Sequence, residues 1–217
     1  MRKKLSAMLI ALSTVTYAHA QLDVHTLAAK VDAHYNHLHS LRAAFTERYS
    51  GIGLNRAETG TLLLQKPGRM RWSYAGGKLF VLDGKFAISY LPGEPQAQRL
   101  PAKQMDDMRS PLRFLLGHTQ LEKELDHLTA MPGPDGTVVL AGAPHYATGP
   151  GENRVQQIAI RVQPGTGTIA GLQVLEIDGT KTNFDFRDMQ ENVPTTATDF
   201  RFVPPAGVTV VDGLPPV

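Results

Sequence analysis

The sequence of 217 residues predicts an α+β fold built on one large antiparallel sheet. Three observations lead there. An apolar pattern of helical period occurs near the start and gives way to alternation with a period of two along most of the remaining chain. Asp-Gly pairs, the strongest short hairpin signal, join apolar runs at Asp83-Gly84 and Asp178-Gly179, and connections this short make neighbouring strands antiparallel. Helical pattern then returns once, in mid-chain.

At the start, Arg2, Lys3 and Lys4, the 13-residue and mostly apolar stretch Leu5–Tyr17, and Ala18-His19-Ala20 have the layout of a secretory signal. The stretch is shorter than the roughly 18–20 residues that span a bilayer, so it reads as cleaved rather than anchoring. Residues 1–20 are therefore expected to be a signal peptide and 21–217 a single domain. Cleavage removes three of the 22 basic residues and none of the 20 acidic ones, leaving 19 against 20, a formal charge of −1. A near-neutral chain lacks the footprint of a nucleic-acid binder. With 0 cysteines there is no disulfide, thiolate metal site, cysteine nucleophile or lipid-modified cysteine.

Val24, Leu27, Ala28, Val31, Tyr35 and Leu38 fall within an arc of roughly 100° on a helix, with Asp23 as N-cap. Leu41, Ala43, Phe45, Glu47 and Tyr49 then alternate as a strand. Further strands are expected at Glu58–Gln65, Arg69–Tyr74, Leu79–Leu82, Lys85–Tyr90, Thr137–Leu140, Val155–Val162, Thr168–Ile177 and Thr180–Met189. Between them Ser110-Pro111 and Gly117 bracket Leu112-Arg113-Phe114-Leu115-Leu116, an apolar helix of about two turns that has to dock on a surface. Leu121–Leu128 is expected to add a helical turn or two. Pro132–Gly136 and Ala141–Asn153 read as loops, and Phe200–Val210 as an extended segment broken by Pro204-Pro205.

Motifs for catalysis are nearly absent: no G-x-S-x-G, H-E-x-x-H or P-loop occurs. Gly165-Thr166-Gly167-Thr168-Ile169-Ala170 matches the dinucleotide fingerprint but lies between two strands, with no helix to receive a pyrophosphate. His34 and His37 have metal-compatible spacing at the end of the first helix, without a third ligand placed to complete a site; a solvated helix edge accounts for them. No catalysis, metal or cofactor is expected.

What stands out is apolar surface. Met70, Trp72 and Tyr74 share one face of a strand, Phe80 and Leu82 come next on the following strand, and Phe86, Ile88 and Tyr90 repeat the stripe. Such stripes are ordinarily core. Here the helices available to cover so wide a sheet are few and short, and a sheet with an incomplete cover leaves an apolar hollow where a greasy ligand can sit.

With these residues in view, the chain resembles the LolA family of periplasmic outer-membrane lipoprotein carriers over nearly its whole expected mature length. The marks are an amphipathic first helix, Ala43-Ala44-Phe45-Thr46-Glu47, the run from Gly60-Thr61-Leu62-Leu63-Leu64-Gln65 through Lys66-Pro67-Gly68-Arg69-Met70-Arg71-Trp72, the Leu82-Asp83-Gly84-Lys85 hairpin, and Phe200-Arg201-Phe202-Val203-Pro204-Pro205-Ala206-Gly207-Val208. Their order and spacing together carry the resemblance.

The resemblance implies an incomplete antiparallel β-barrel, a half-barrel, covered by a lid of short α-helices and enclosing a hydrophobic cavity. It implies a soluble periplasmic monomer that takes triacylated or diacylated lipoproteins from an inner-membrane ABC transporter complex and hands them to an outer-membrane lipoprotein receptor, where one is present. The implied acyl wall is Met70, Trp72, Tyr74, Phe80, Leu82, Phe86, Ile88 and Tyr90, with Leu112, Leu115 and Leu116 on the lid's inner face. Because strand faces alternate, about half of the wall set is expected to face elsewhere. The family arginine that latches the lid is Lys66 here, which keeps the charge but loses the planar fork of donors. The family phenylalanine two residues before the tryptophan is Met70, still a flexible apolar surface. An alternative from the same half-barrel is a periplasmic module that senses lipoproteins or holds a regulatory partner, and a hydrolase using the histidines is a third reading.

Overall fold

The computed structural model describes residues 23–51, 53–102, 119–145 and 155–213. Helix α1 (Val24–His37) starts where Asp23 accepts the backbone N–H of His25 at 3.1 Å, and it buries Leu27, Ala28, Val31 and Tyr35. Leu38 leaves the helix in extended conformation and hands the chain to β1 (Ser40–Gly51).

Five strands continue as a meander: β2 (Leu54–Gln65), β3 (Arg69–Tyr74), β4 (Leu79–Leu82), β5 (Phe86–Tyr90) and β6 (Gln96–Pro101). A short α2 (Leu121–Glu124) leads into a second meander of β7 (Leu125–Pro132), β8 (Val138–Pro144), β9 (Val155–Val162), β10 (Ile169–Glu176) and β11 (Lys181–Glu191). The two halves are seamed by antiparallel pairing of β1 with β11. Finally β12 (Thr209–Asp212) lies parallel to β6, the one parallel pair among the described strands. All twelve strands form one sheet whose edges, β12 and β7, are not paired with each other, so it is not closed into a barrel.

Both Asp-Gly hairpins form. Gly84 and Gly179 take φ of +97° and +84°, the left-handed region that a side chain disfavours. Asp83 accepts the N–H groups of Lys85 and Phe86, each at 2.7 Å, and Asp178 accepts that of Thr180 at 2.9 Å.

Several expectations are corrected. Only Leu121–Glu124 is helical; from Leu125 the chain is strand, with an irregularity between Asp126 and Thr129. Ala141–Pro144, expected as loop, completes β8. The sequence Gln-Ala-Gln-Arg-Leu-Pro of β6 has little strand character of its own and is held by partners on both sides, β5 and β12. The mid-chain helix expected around Leu112, Leu115 and Leu116 lies outside the described residues.

Candidate functional site

One face of the sheet packs with α1 into a single apolar cluster; we call it the inner face. Directly paired residues share a face. Phe45 pairs with Gly60 and with Phe186, Gly60 with Tyr74, Leu62 with Trp72, Trp72 with Phe80, and Met70 with Leu82. Met70, Trp72, Tyr74, Phe80 and Leu82 are thus brought together on the inner face.

Three further aromatic residues, absent from the wall expected on sequence, join them. The Phe45 ring lies 4.7 Å from that of Trp72 and 5.0 Å from that of Tyr74, both edge-on, while Phe184 lies 5.4 Å from Trp72 and 6.3 Å from Phe186. Their signal was present in the alternations of Phe184-Asp185-Phe186 and of Leu41, Ala43 and Phe45, whereas the place of Phe45 opposite Gly60 comes from the pairing of β1 with β2. A Cβ on Gly60 would sit 2.7 Å from the Phe45 ring and against the Ser73 carbonyl oxygen, so the absence of a side chain there lets Phe45 lie flat enough to reach Trp72. The Trp72 indole Nε1 donates to the Met70 thioether Sδ at 2.7 Å, a weak acceptor within this apolar part of the face.

The expected stripe on β5 belongs elsewhere. Across the Asp83-Gly84 turn Leu82 pairs with Ala87 and Val81 with Ile88, so the odd-numbered residues of β5 continue the inner face. Phe86, Ile88 and Tyr90 face outward with Val81 and Arg71. The carboxy-terminal segment covers this outer face: Arg71 Nη1 donates to the carbonyls of Asp199 at 3.4 Å and Arg201 at 3.2 Å, Phe200 is fully buried, and Phe202 meets Tyr90 at 6.0 Å. Further along the outer face a groove of about 340 Å³ has Arg48, Arg161 and Asp185 among its polar lining.

Lys66 fastens α1. Its Nζ donates to the carbonyl of Tyr35 at 2.7 Å, at the negative end of the helix dipole, and its backbone N–H donates to the carbonyl of His39 at 2.8 Å. Partial burial holds the ammonium pKa below the usual lysine value. Asn36 acts as a second fastening, its amide donating to the carbonyl of Thr119 at 2.9 Å and accepting the Thr119 N–H at 2.7 Å.

Past Trp72 the inner face turns polar. The Tyr74 hydroxyl donates to Glu47 Oε2 at 2.6 Å, and Lys78 Nζ lies 2.6 Å from Glu58 Oε2. Burial, with the Glu47 hydrogen bond second, pushes the Tyr74 hydroxyl well above the usual tyrosine range. His34 lies 2.9 Å from Glu191 rather than facing His37 across a metal, and among the described residues no group of three potential ligands converges. No described helix is long and apolar enough to cross a membrane.

Residues 36–203 match the model of the outer membrane lipoprotein carrier protein LolA family. The chain is 28% identical over 159 residues to the outer-membrane lipoprotein carrier protein of Bordetella avium, covering 71% of each. It is 28% identical over 216 residues to that of Erwinia tasmaniensis, covering 97% of this chain and 98% of the relative. Among solved structures, an uncharacterized conserved protein of Thermus thermophilus has the same fold at TM-score 0.54 and 11% identity, over 86% of this chain and 98% of that one. A DUF1329 family protein of Desulfovibrio piger has TM-score 0.50 and 13% identity, over 82% and 95%. An open sheet with an apolar inner face and a family match over most of its length lead to one conclusion: the chain belongs to the LolA family of outer-membrane lipoprotein carrier proteins.

Proposed function

We propose that this protein, a member of a carrier family rather than of an enzyme family, shelters the acyl chains of lipoproteins on the inner face of its sheet. The observation that carries the reading is the aromatic cluster of Phe45, Trp72, Tyr74, Phe184 and Phe186 on an unclosed sheet, where Phe184 and Tyr74 are only half-buried. An acyl chain in water costs about 0.8 kcal/mol per methylene, so transit between membranes requires an apolar wall in exchange. Met70, Trp72, Tyr74, Phe80 and Leu82 contribute to that wall in this reading; Phe86, Ile88 and Tyr90 do not. Residues 1–20 act as a secretory signal directing a monomer to the periplasm. Cargo is received from an inner-membrane ABC transporter complex and delivered to an outer-membrane receptor.

The chain has a single tryptophan, Trp72, and it lies in the proposed wall. A lipopeptide with brominated acyl chains is therefore expected to quench its fluorescence, and Phe184→Asp to weaken that quenching. Fluorescence that stays unquenched at saturating lipopeptide would refute the assignment.

A further inference from the structure

The inner face of β1–β4 changes character along its length. Toward α1 it presents Leu41, Phe45, Leu64, Met70 and Trp72, all buried. One step outward it presents Glu47, Glu58 and Tyr74, with Lys78 beside them. Glu47 is seven residues beyond the start of β1, roughly 23 Å from the strand end nearest α1.

This polar cluster is densely connected. Glu47 and Glu58 are direct partners across β1 and β2. Lys78 Nζ is 2.6 Å from Glu58, 3.9 Å from Glu47 and 3.7 Å from the centre of the Tyr74 ring, and Arg56 Nε is 3.1 Å from Glu58. Like charges directly opposite one another weaken a strand pair, so pairing alone does not select this arrangement. Two carboxylates, an ammonium and a guanidinium carry no net charge together. Both donors and acceptors reach solvent, the Lys78 and Glu58 side chains being 22% and 24% exposed.

Resting on the acyl-carrier reading above, we propose that this cluster binds the polar linkage of the cargo, the glyceryl esters and amides of a lipid-modified cysteine. Ester and amide carbonyls accept hydrogen bonds from Lys78 and Arg56. Peptide N–H groups of the cargo's first residues donate to Glu47 and Glu58. The acyl chains run from this level over Trp72 and Phe45. An uncharged linkage with its peptide N–H groups can pair with all four charged groups, whereas a phospholipid phosphate can accept from Lys78 and Arg56 but offers no donor to Glu47 and Glu58 and is repelled by them. The site thus selects acylated protein over bulk membrane lipid.

The test compares Lys78→Met and Arg56→Met with the unaltered chain on two ligands: a synthetic diacylglyceryl-cysteinyl peptide, and a pyrene-labelled alkane without ester, amide or charge. Each variant is expected to lose about tenfold in affinity for the lipopeptide, the worth of a hydrogen bond involving a charged group, and to bind the alkane within about twofold of the unaltered chain. The same lipopeptide affinity in both variants overturns the proposal, as does an equal loss on both ligands. Competition by phosphatidylglycerol as effective as that by the lipopeptide overturns it too. An unaltered chain that binds neither ligand overturns the carrier reading itself, and this proposal with it.

Discussion

Tyr35 is held at both ends of its residue: its carbonyl accepts Lys66 Nζ at 2.7 Å, and its hydroxyl accepts the backbone N–H of Ile169 at 3.0 Å. The first contact ties α1 to the end of β2, the second to the start of β10. One residue thus joins the helix to both halves of the sheet.

Removing either tie leaves a partly or fully buried polar group without this partner. Lys66→Met and Tyr35→Phe are each expected to lower stability by about 1–3 kcal/mol, read as a lower urea midpoint at unchanged slope. The pH response separates them. Burial, ahead of the opposing Ile169 hydrogen bond, pushes the Tyr35 hydroxyl up to about 12 from 10.0. The folded chain therefore keeps a proton that the unfolded chain loses, so stability falls as pH rises from 10 toward 12. Tyr35→Phe should fall less over that window; a parallel fall would show that the hydroxyl is not the group responsible.

Gly60 makes room for the aromatic cluster. Gly60→Ala places a methyl 2.7 Å from the Phe45 ring and against the Ser73 carbonyl, and one of these has to move. The expected cost is about 1–3 kcal/mol, with a loss of near-ultraviolet circular dichroism as the Phe45–Trp72 packing shifts. Full stability together with an unaltered aromatic spectrum would contradict the close approach.

Asp185 lies between two guanidinium groups. Burial raises its pKa, but hydrogen bonds from Arg161 at 2.6 Å and from Arg48 outweigh it and hold the carboxyl below its usual 3.8. A depressed acid contributes stability above the unfolded pKa and loses it as pH falls through the folded one. Asp185→Asn should therefore be less stable at neutral pH, and its stability should decline less steeply below about pH 4. Superimposable acid-denaturation curves would dismiss the pairing as a stabilising feature.

Arg71 serves the face opposite to Trp72. Arg71→Ala releases the carbonyls of Asp199 and Arg201, so limited proteolysis should cut within 197–208 sooner. Lipopeptide affinity should stay within about twofold, since none of the wall residues moves. Loss of binding without new cleavage would mean that the two faces are not independent.

The local features were legible from the chain alone. The cap at Asp23, the helical arc from Val24 to Leu38 and both Asp-Gly turns depend on residues a few positions apart; the cap and the turns form, and the helix runs to His37, leaving Leu38 just past its end. Strands with alternating apolar residues were found to within a few positions, and Arg69–Tyr74, Leu79–Leu82 and Val155–Val162 at their observed bounds. Partners distant in sequence set what the chain alone could not decide. β6 has little strand character of its own and is held between β5 and β12, the latter reaching it from the far end of the chain. The assignment of Phe86, Ile88 and Tyr90 to a face turned on whether Leu82 meets Ala87 or Phe86, a matter of register across a turn, and a slip of one residue exchanges every side chain between faces. Phe184 and Phe186 meet Trp72 only because β11 pairs with β1, from the opposite end of the chain. Periodicity records which residues share a face of one strand; only tertiary pairing records which faces meet.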